Sequence, residues 1–228
     1  MRTYTVREVR GEGGDTRLVV DFVLHLADGD NGPGSAWASR ARVGDRVVTM
    51  APRRGTPYGG IEFDPGTAAY VLLAGDETAV PAVCSILEDL PSTARGAAFL
   101  EVPESGDVLP QQHPPGVDLV WLPRDGAALG QRLCAAVLDH LGTPTGALVE
   151  PDEVDPDLWE TPTYSSSGEA TEVAAVTVGH DLDGLYAWIA GESGVVTTLR
   201  RHLVKELGMD RRQVAFMGYW RRGVAMRS

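Results

Sequence analysis

Tyr70-Val71-Leu72-Leu73-Ala74-Gly75-Asp76-Glu77-Thr78, followed by Ala79 to Leu90, decides the fold class. Its opening five residues form a continuous apolar run, as in a strand buried on both faces. A glycine, two acids and a threonine then lead into a helical pattern. The same grammar returns at Gly184-Leu185-Tyr186-Ala187-Trp188-Ile189-Ala190, which is followed by Gly191-Glu192-Ser193-Gly194 and a predicted helix from Val195 to Leu207. Between these units lie predicted strands at Ala97 to Val102 and Val117 to Leu122. A predicted helix from Gly130 to Leu141 carries Leu133, Val137, Leu138 and Leu141 as its apolar stripe. Strands alternating with helices predict a parallel sheet with ligand-binding loops at the carboxyl ends of its strands. Gly75 to Thr78 and Gly191 to Gly194 then share one rim.

That rim has two readings. Helix starts receive phosphate and carboxylates receive ribose hydroxyls, which suits a nucleotide. Alternatively, Glu77 and Glu192 act as helix caps satisfying nearby amides. Neither strand is followed by G-x-G-x-x-G, which disfavours a conventional Rossmann dinucleotide site.

The first 65 or so residues follow different rules. Arg2-Thr3-Tyr4-Thr5-Val6-Arg7, Leu18 to His25 and Arg46 to Met50 are predicted strands separated by glycine-rich joints, the pattern of a small barrel. Arg2 and Tyr4 bring a guanidinium fork and an aromatic face onto one segment, suited to a phosphate and a planar ring. Ser35-Ala36-Trp37-Ala38-Ser39-Arg40-Ala41 is a predicted short helix with Ser35 as its cap. The glycines before it leave room for a pyrophosphate.

Composition narrows the classes. The 228 residues include 32 acidic and 20 basic side chains, a formal net charge of -12, which argues against a nucleic-acid binder. No charge-free apolar run of membrane-spanning length occurs and the start lacks a signal-peptide layout, so no membrane insertion and a cytoplasmic location are expected. Cys84 and Cys134 sit on separate apolar stretches, and no histidine pair has metal-ligand spacing, so no metal site is expected. Residues 144–172, rich in proline, serine and acids, read as a loop that Leu158, Trp159 and Tyr164 could pin. Cations gather instead at the carboxyl end: Arg200, Arg201, Lys205, Arg211, Arg212, Arg221, Arg222 and Arg227. An anion could be drawn to that end.

The residues now carry a resemblance. The stretches Arg2 to Arg7, Val20 to His25, Gly32 to Ala38, Leu73 to Ala82, Trp121 to Arg124, Tyr186 to Glu192 and Gly218 to Gly223 run in one order across nearly the whole chain. Together they resemble the siderophore-interacting protein family of FAD-dependent ferric-siderophore reductases, within the ferredoxin–NADP reductase superfamily. The resemblance implies an antiparallel β-barrel FAD-binding domain over residues 1–65, incomplete at its N-terminal side. An α/β parallel-sheet NAD(P)H-binding domain would follow over residues 66–228, with the acidic loop 144–172 and a flavin- and substrate-facing segment 216–228.

It further implies hydride transfer from NADH or NADPH to the flavin, then one-electron reduction of Fe(III) in the chelate and release of Fe(II). Arg2, Tyr4, Thr5, His25, Ser35, Trp37, Ala38, Ser39, Tyr219 and Trp220 are implied for FAD. Gly75, Asp76, Glu77, Thr78, Ala79, Arg124, Gly191 and Glu192 are implied for the nicotinamide cofactor. Arg221 and Arg222 are the candidates for an anionic ferric siderophore, with Arg54, Arg200 and Lys205 behind them. A ferredoxin is an alternative electron donor. Family members ordinarily carry several dozen residues ahead of the arginine–tyrosine motif, so three outcomes stay open: a start further upstream, a partner protein completing the barrel, or weak FAD binding. The competing class is a noncatalytic siderophore- or partner-binding module derived from such a reductase.

Overall fold

The computed structural model describes residues 3–24, 33–50, 62–143, 159–161, 164–165 and 182–223. The chain divides into two compact units, Met1–Glu62 with Gly223–Ser228, and Phe63–Arg222.

In the first unit, β1 (Val6–Arg10) pairs antiparallel with β2 (Arg17–Val20), from Val6 opposite Val20 to Arg10 opposite Arg17. The turn between them needs glycine at Gly11, where φ is +73° and a Cβ would come within 2.6 Å of the Asp15 carbonyl oxygen. A short helix α1 spans Pro33–Ala38. The predicted strand at Arg46 to Met50 is not formed, and the predicted Leu18 to His25 strand ends at Val20. Tyr4 and Thr5 precede β1 instead of lying within it. The described residues of this unit thus make a two-stranded sheet, not a closed barrel. None of them is buried, because one short strand pair cannot bury its own apolar face: Val9 is 59% and Val48 98% exposed.

The second unit contains β3 (Tyr70–Gly75), α2 (Val80–Asp89), β4 (Arg95–Val102), β5 (Gly116–Pro123), α3 (Gln131–His140), β6 (Trp159–Thr161), β7 (Tyr164–Ser165), β8 (Leu185–Glu192), α4 (Ser193–Arg200) and β9 (Val214–Trp220). Its sheet runs β5-β4-β3-β8-β9-β6-β7. The first five are parallel, and β6 and β7 add an antiparallel edge. Every residue of β8 is buried because it lies between β3 and β9. Helix α2 carries Pro81 in its first turn, where no amide donor is needed, and ends before Pro91, which disfavours helical backbone at Leu90. Beyond Arg200 the helix continues as a π-helical turn, Arg201–Glu206, closed by Leu207 N–H donating to the His202 carbonyl.

Alternation sends Leu72 and Ala74, Ala97 and Phe99, and Leu185, Ala187 and Ile189 into one core with the inner faces of α3 and α4. Each large apolar side chain removed from water there contributes about 1.5–3 kcal/mol. Chain order along the parallel strands reverses between β3 and β8. This is the switch point of the sheet, with a crevice at its carboxyl edge.

Candidate functional site at the switch point of the sheet

Asp76 sits at that crevice, 3% exposed. Its Oδ1 accepts the Thr78 amide at 2.9 Å and the Thr78 hydroxyl. Its Oδ2 accepts the Glu192 amide at 2.7 Å and Trp220 Nε1 at 2.8 Å. One carboxylate therefore ties together the ends of β3, β8 and β9. Burial pushes the Asp76 carboxyl up to about 6, and neighbouring Glu77 adds to the rise, against the opposing pull of the Thr78 and Trp220 donors. Glycine is required at Gly191, where φ is +145° and a Cβ would approach Asp76 Oδ2 to 2.6 Å. At Gly75 a Cβ would lie 2.8 Å from the Ala190 carbonyl oxygen, so the two strand ends close on each other only without side chains.

The two rim glutamates take different roles. Glu192 caps α4, its Oε2 accepting the amides of Gly194 at 2.7 Å and Val195 at 3.0 Å, while Oε1 accepts the Arg222 amide at 3.2 Å. Glu77 instead receives the Arg124 fork at 2.7 and 2.9 Å. Arg124 also reaches Glu101 at 3.3 Å. Glu101 is fully buried and accepts the amides of Gly130, Arg132 and Leu133 at the start of α3. Arg124 thus faces two carboxylates. Ala79 is buried under the rim.

At the carboxyl end, Val214–Trp220 is a strand beside β8. Tyr219 stacks on Trp159 at 6.0 Å and meets Trp188 edge-on at 6.5 Å. Ser193 donates its hydroxyl to the Trp220 carbonyl at 2.9 Å. Arg221 is partly exposed and Arg222 exposed, both at the rim end of β9. Two of the predicted siderophore cations do not join them. Arg200 is 8% exposed and its guanidinium grips Glu160, with Nη2 at 2.8 Å from Oε1, because a buried cation needs a paired anion. Lys205 is exposed, but it lies ~3 turns down the helix from the rim, toward the other end of the strands. Residues 159–161 and 164–165, expected within the loop, form edge strands, and Glu160 supplies the anion.

In the first unit, Tyr4 packs against Phe22 at 4.5 Å, and Phe22 against Trp37 at 5.7 Å. Tyr4 and Trp37 keep 41% and 37% of their surface open. Gly34 lies directly against the Tyr4 hydroxyl, where an added Cβ would make that ring shift. Ser35 does not cap the helix: its hydroxyl donates to the Val23 carbonyl at 3.0 Å, and that of Ser39 to Ala36 at 3.2 Å. Thr5 and Ala38 are half-buried. Open aromatic faces beside a glycine-containing turn are of a kind that fits a flavin nucleotide. Arg2, His25 and Arg54 lie outside the described residues.

Glu101, Glu160 and Ser193 escaped the sequence reading as site-building residues. The signal for Glu101 was present, since an acid near the end of the apolar run Ala97 to Val102 must find a partner. Among the described residues, no helix is long and apolar enough to cross a membrane.

An open parallel sheet with its crevice at the switch point, joined to a unit bearing aromatic faces, has the parts of a nucleotide-binding protein. Two family models match it in succession: the siderophore-interacting FAD-binding domain over residues 1–56 and the siderophore-interacting protein over residues 68–223. The chain belongs to the siderophore-interacting protein family. It is 31% identical over 222 residues to the ferric vibriobactin reductase ViuB of Vibrio cholerae serotype O1, covering 97% of this chain and 65% of that protein. A siderophore utilization protein from T. fusca matches with a TM-score of 0.61 at 28% identity, covering 99% of this chain and 68% of that one. The siderophore-interacting protein SipS from Aeromonas hydrophila matches with a TM-score of 0.63 at 27% identity, covering 98% and 68%.

Proposed function

We propose that the chain is an FAD-dependent reductase of ferric siderophores that draws electrons from NADH or NADPH and releases iron as Fe(II). The observation that carries the reading is the succession of both family segments in one chain, with the ends of β3, β8 and β9 drawn together on Asp76. Residues 1–65 are proposed as part of a flavin-binding barrel and residues 66–228 as the nicotinamide-binding domain of ferredoxin–NADP reductase type, in a cytoplasmic protein. When bound, FAD converts two-electron hydride chemistry into the single-electron steps that ferric iron accepts.

The chain's own residues bind and orient. Tyr4 and Trp37 offer ring faces to the flavin, assisted by Arg2, Thr5 and His25. The nicotinamide cofactor lies against the backbone of Gly75, Thr78 and Gly191, since the Asp76 and Glu192 carboxylates are occupied by protein donors. Their task is to hold the rim in shape. Arg221 and Arg222 give an acidic protein a cationic place for an anionic chelate.

The test is a visible spectrum of the purified chain after incubation with FAD, then anaerobic addition of NADH or NADPH and a ferric siderophore. Bound flavin that bleaches with the nucleotide and recovers with the siderophore is expected. Siderophore-dependent tryptophan quenching with no flavin retained would favour a binding module instead.

A further inference from the structure

We infer that the cleft beyond β4 and β5 selects a dinucleotide with a free 2′-hydroxyl on its adenosine ribose, NADH in preference to NADPH, and that Glu104 and Asp125 determine this choice. The inference rests on the nicotinamide reading above.

The cleft is about 540 Å³ and is lined by Glu104, Ser105, Arg124 and Asp125 among others. Its place in the topology identifies the half of the ligand it would hold. A dinucleotide whose pyrophosphate meets the turn after β3 sends its adenosine over the end of the neighbouring strand, β4. In dinucleotide-binding sheets an acid near that position receives the ribose hydroxyls. Glu104 stands two residues beyond Val102, the last residue of β4.

The side-chain donors that line the cleft are already engaged. Glu77 occupies the Arg124 fork and Glu101 takes a further bond from Nη1, so two carboxylates oppose one guanidinium. Ser105 donates its hydroxyl to Asp125 Oδ2 at 2.8 Å and its amide to Oδ1 at 3.0 Å. The amides of Arg124, Asp125 and Ala127 donate to the carbonyls of Val102, Pro103 and Arg124. Asp107 adds a further anion: its Oδ2 accepts the Glu104 amide at 3.0 Å and the Glu104 carboxylate accepts the Asp107 amide in return. Unlike the buried Asp76 and Glu192, Glu104 and Asp125 are exposed, so their carboxylates keep lone pairs open to a ligand. A phosphate would enter a field dominated by carboxylates, whereas a diol donates hydrogen bonds to them.

Isothermal titration of the full chain with NAD⁺, NADP⁺, ADP-ribose and 2′-phospho-ADP-ribose tests this without any turnover. NAD⁺ and ADP-ribose are expected to bind at least about tenfold tighter than their 2′-phosphorylated counterparts. Glu104→Gln should narrow the ratio, and Glu104→Arg should narrow it further by raising affinity for the phosphorylated pair. NADP⁺ binding as tight as NAD⁺ overturns the selectivity and leaves the nicotinamide reading standing. An unchanged ratio in a folded Glu104→Arg variant overturns the assignment to Glu104. Binding of neither nucleotide, together with no bleaching of bound flavin by either reduced form, overturns both readings.

Discussion

Asp76 and Trp220, 144 residues apart in the chain, are joined by a 2.8 Å hydrogen bond from the indole Nε1 to the carboxylate Oδ2. The same oxygen accepts the Glu192 amide, so the rim of the sheet is held by an acid that burial makes harder to ionise. A dry carboxylate surrounded by donors is rigid while those donors stay, and it couples three strand ends.

The pH dependence of stability should report Asp76. Its proton affinity rises on folding, from an ordinary value of 3.8 to about 6, so between those values the folded state holds a proton that the unfolded chain has released. Stability therefore falls as pH rises through that window, by at most about 3 kcal/mol from this group. Urea midpoints measured from pH 4 to 7 should decline more steeply for the native chain than for Asp76→Asn. Parallel slopes would show that the surrounding donors outweigh burial.

Gly191→Ala should weaken the rim. The methyl group would press on Asp76 Oδ2, and the φ of +145° is strained for any residue with a Cβ. A loss of about 1–3 kcal/mol is expected, with a change in the near-ultraviolet circular dichroism of the tryptophans. Gly126→Ala provides the comparison: it also has positive φ, but its Cβ would meet nothing within 4 Å. Equal effects at both sites would reduce the Gly191 result to backbone strain alone.

The Arg200–Glu160 pair should behave as a structural element. Arg200→Met removes the shorter ion pair of a carboxylate that is 3% exposed, leaving Arg211 Nη1 3.9 Å from its Oε1, and should cost up to about 3 kcal/mol in chemical denaturation. Arg200→Met with Glu160→Leu should recover part of that loss, since the two paired charges leave together while Arg211 loses its contact with Glu160. If the single variant kept full stability but lost siderophore affinity, Arg200 would return to the substrate site.

Cys134 should be inert in the native protein. Burial, with Glu101 nearby, pushes its thiol up to about 12, so almost no thiolate exists at pH 8. Iodoacetamide at that pH is expected to leave Cys134 unmodified until denaturant is added, as followed by mass spectrometry of the peptide. Rapid native labelling would mean that α3 opens locally.

Arg221→Ala should slow ferric-siderophore reduction more than NADH oxidation by a neutral acceptor, because only the anionic chelate gains from that cation. Salt should compress the difference between the two acceptors. Equal losses with both would assign Arg221 to the fold or to the flavin.

The second unit was largely legible from local pattern. Apolar runs such as Tyr70 to Ala74 and Leu185 to Ala190 announced buried strands, and the following glycine–acid turns marked one rim, because strand composition and helix starts are written in neighbouring residues. The stretch from Val214 to Trp220 was less legible as a strand, since its apolar core is short and arginines flank it. In the first unit, the alternation at Arg46 to Met50 suggested a strand, but extended propensity is realised only where another strand supplies hydrogen bonds.

The amino-acid sequence by itself determined the strand–helix alternation from Tyr70 to Leu207, the glycine positions and the family. Tertiary structure decided where the charges went. Arg124 and Arg200 read as available cations along the chain, yet one is held by Glu77 and Glu101 and the other by Glu160. Glu77 and Glu192, alike in sequence, became an ion-pair partner and a helix cap. The physical reason is desolvation: a charge removed from water must be matched by an opposite charge or by donors, and long-range packing chooses which residue supplies the match.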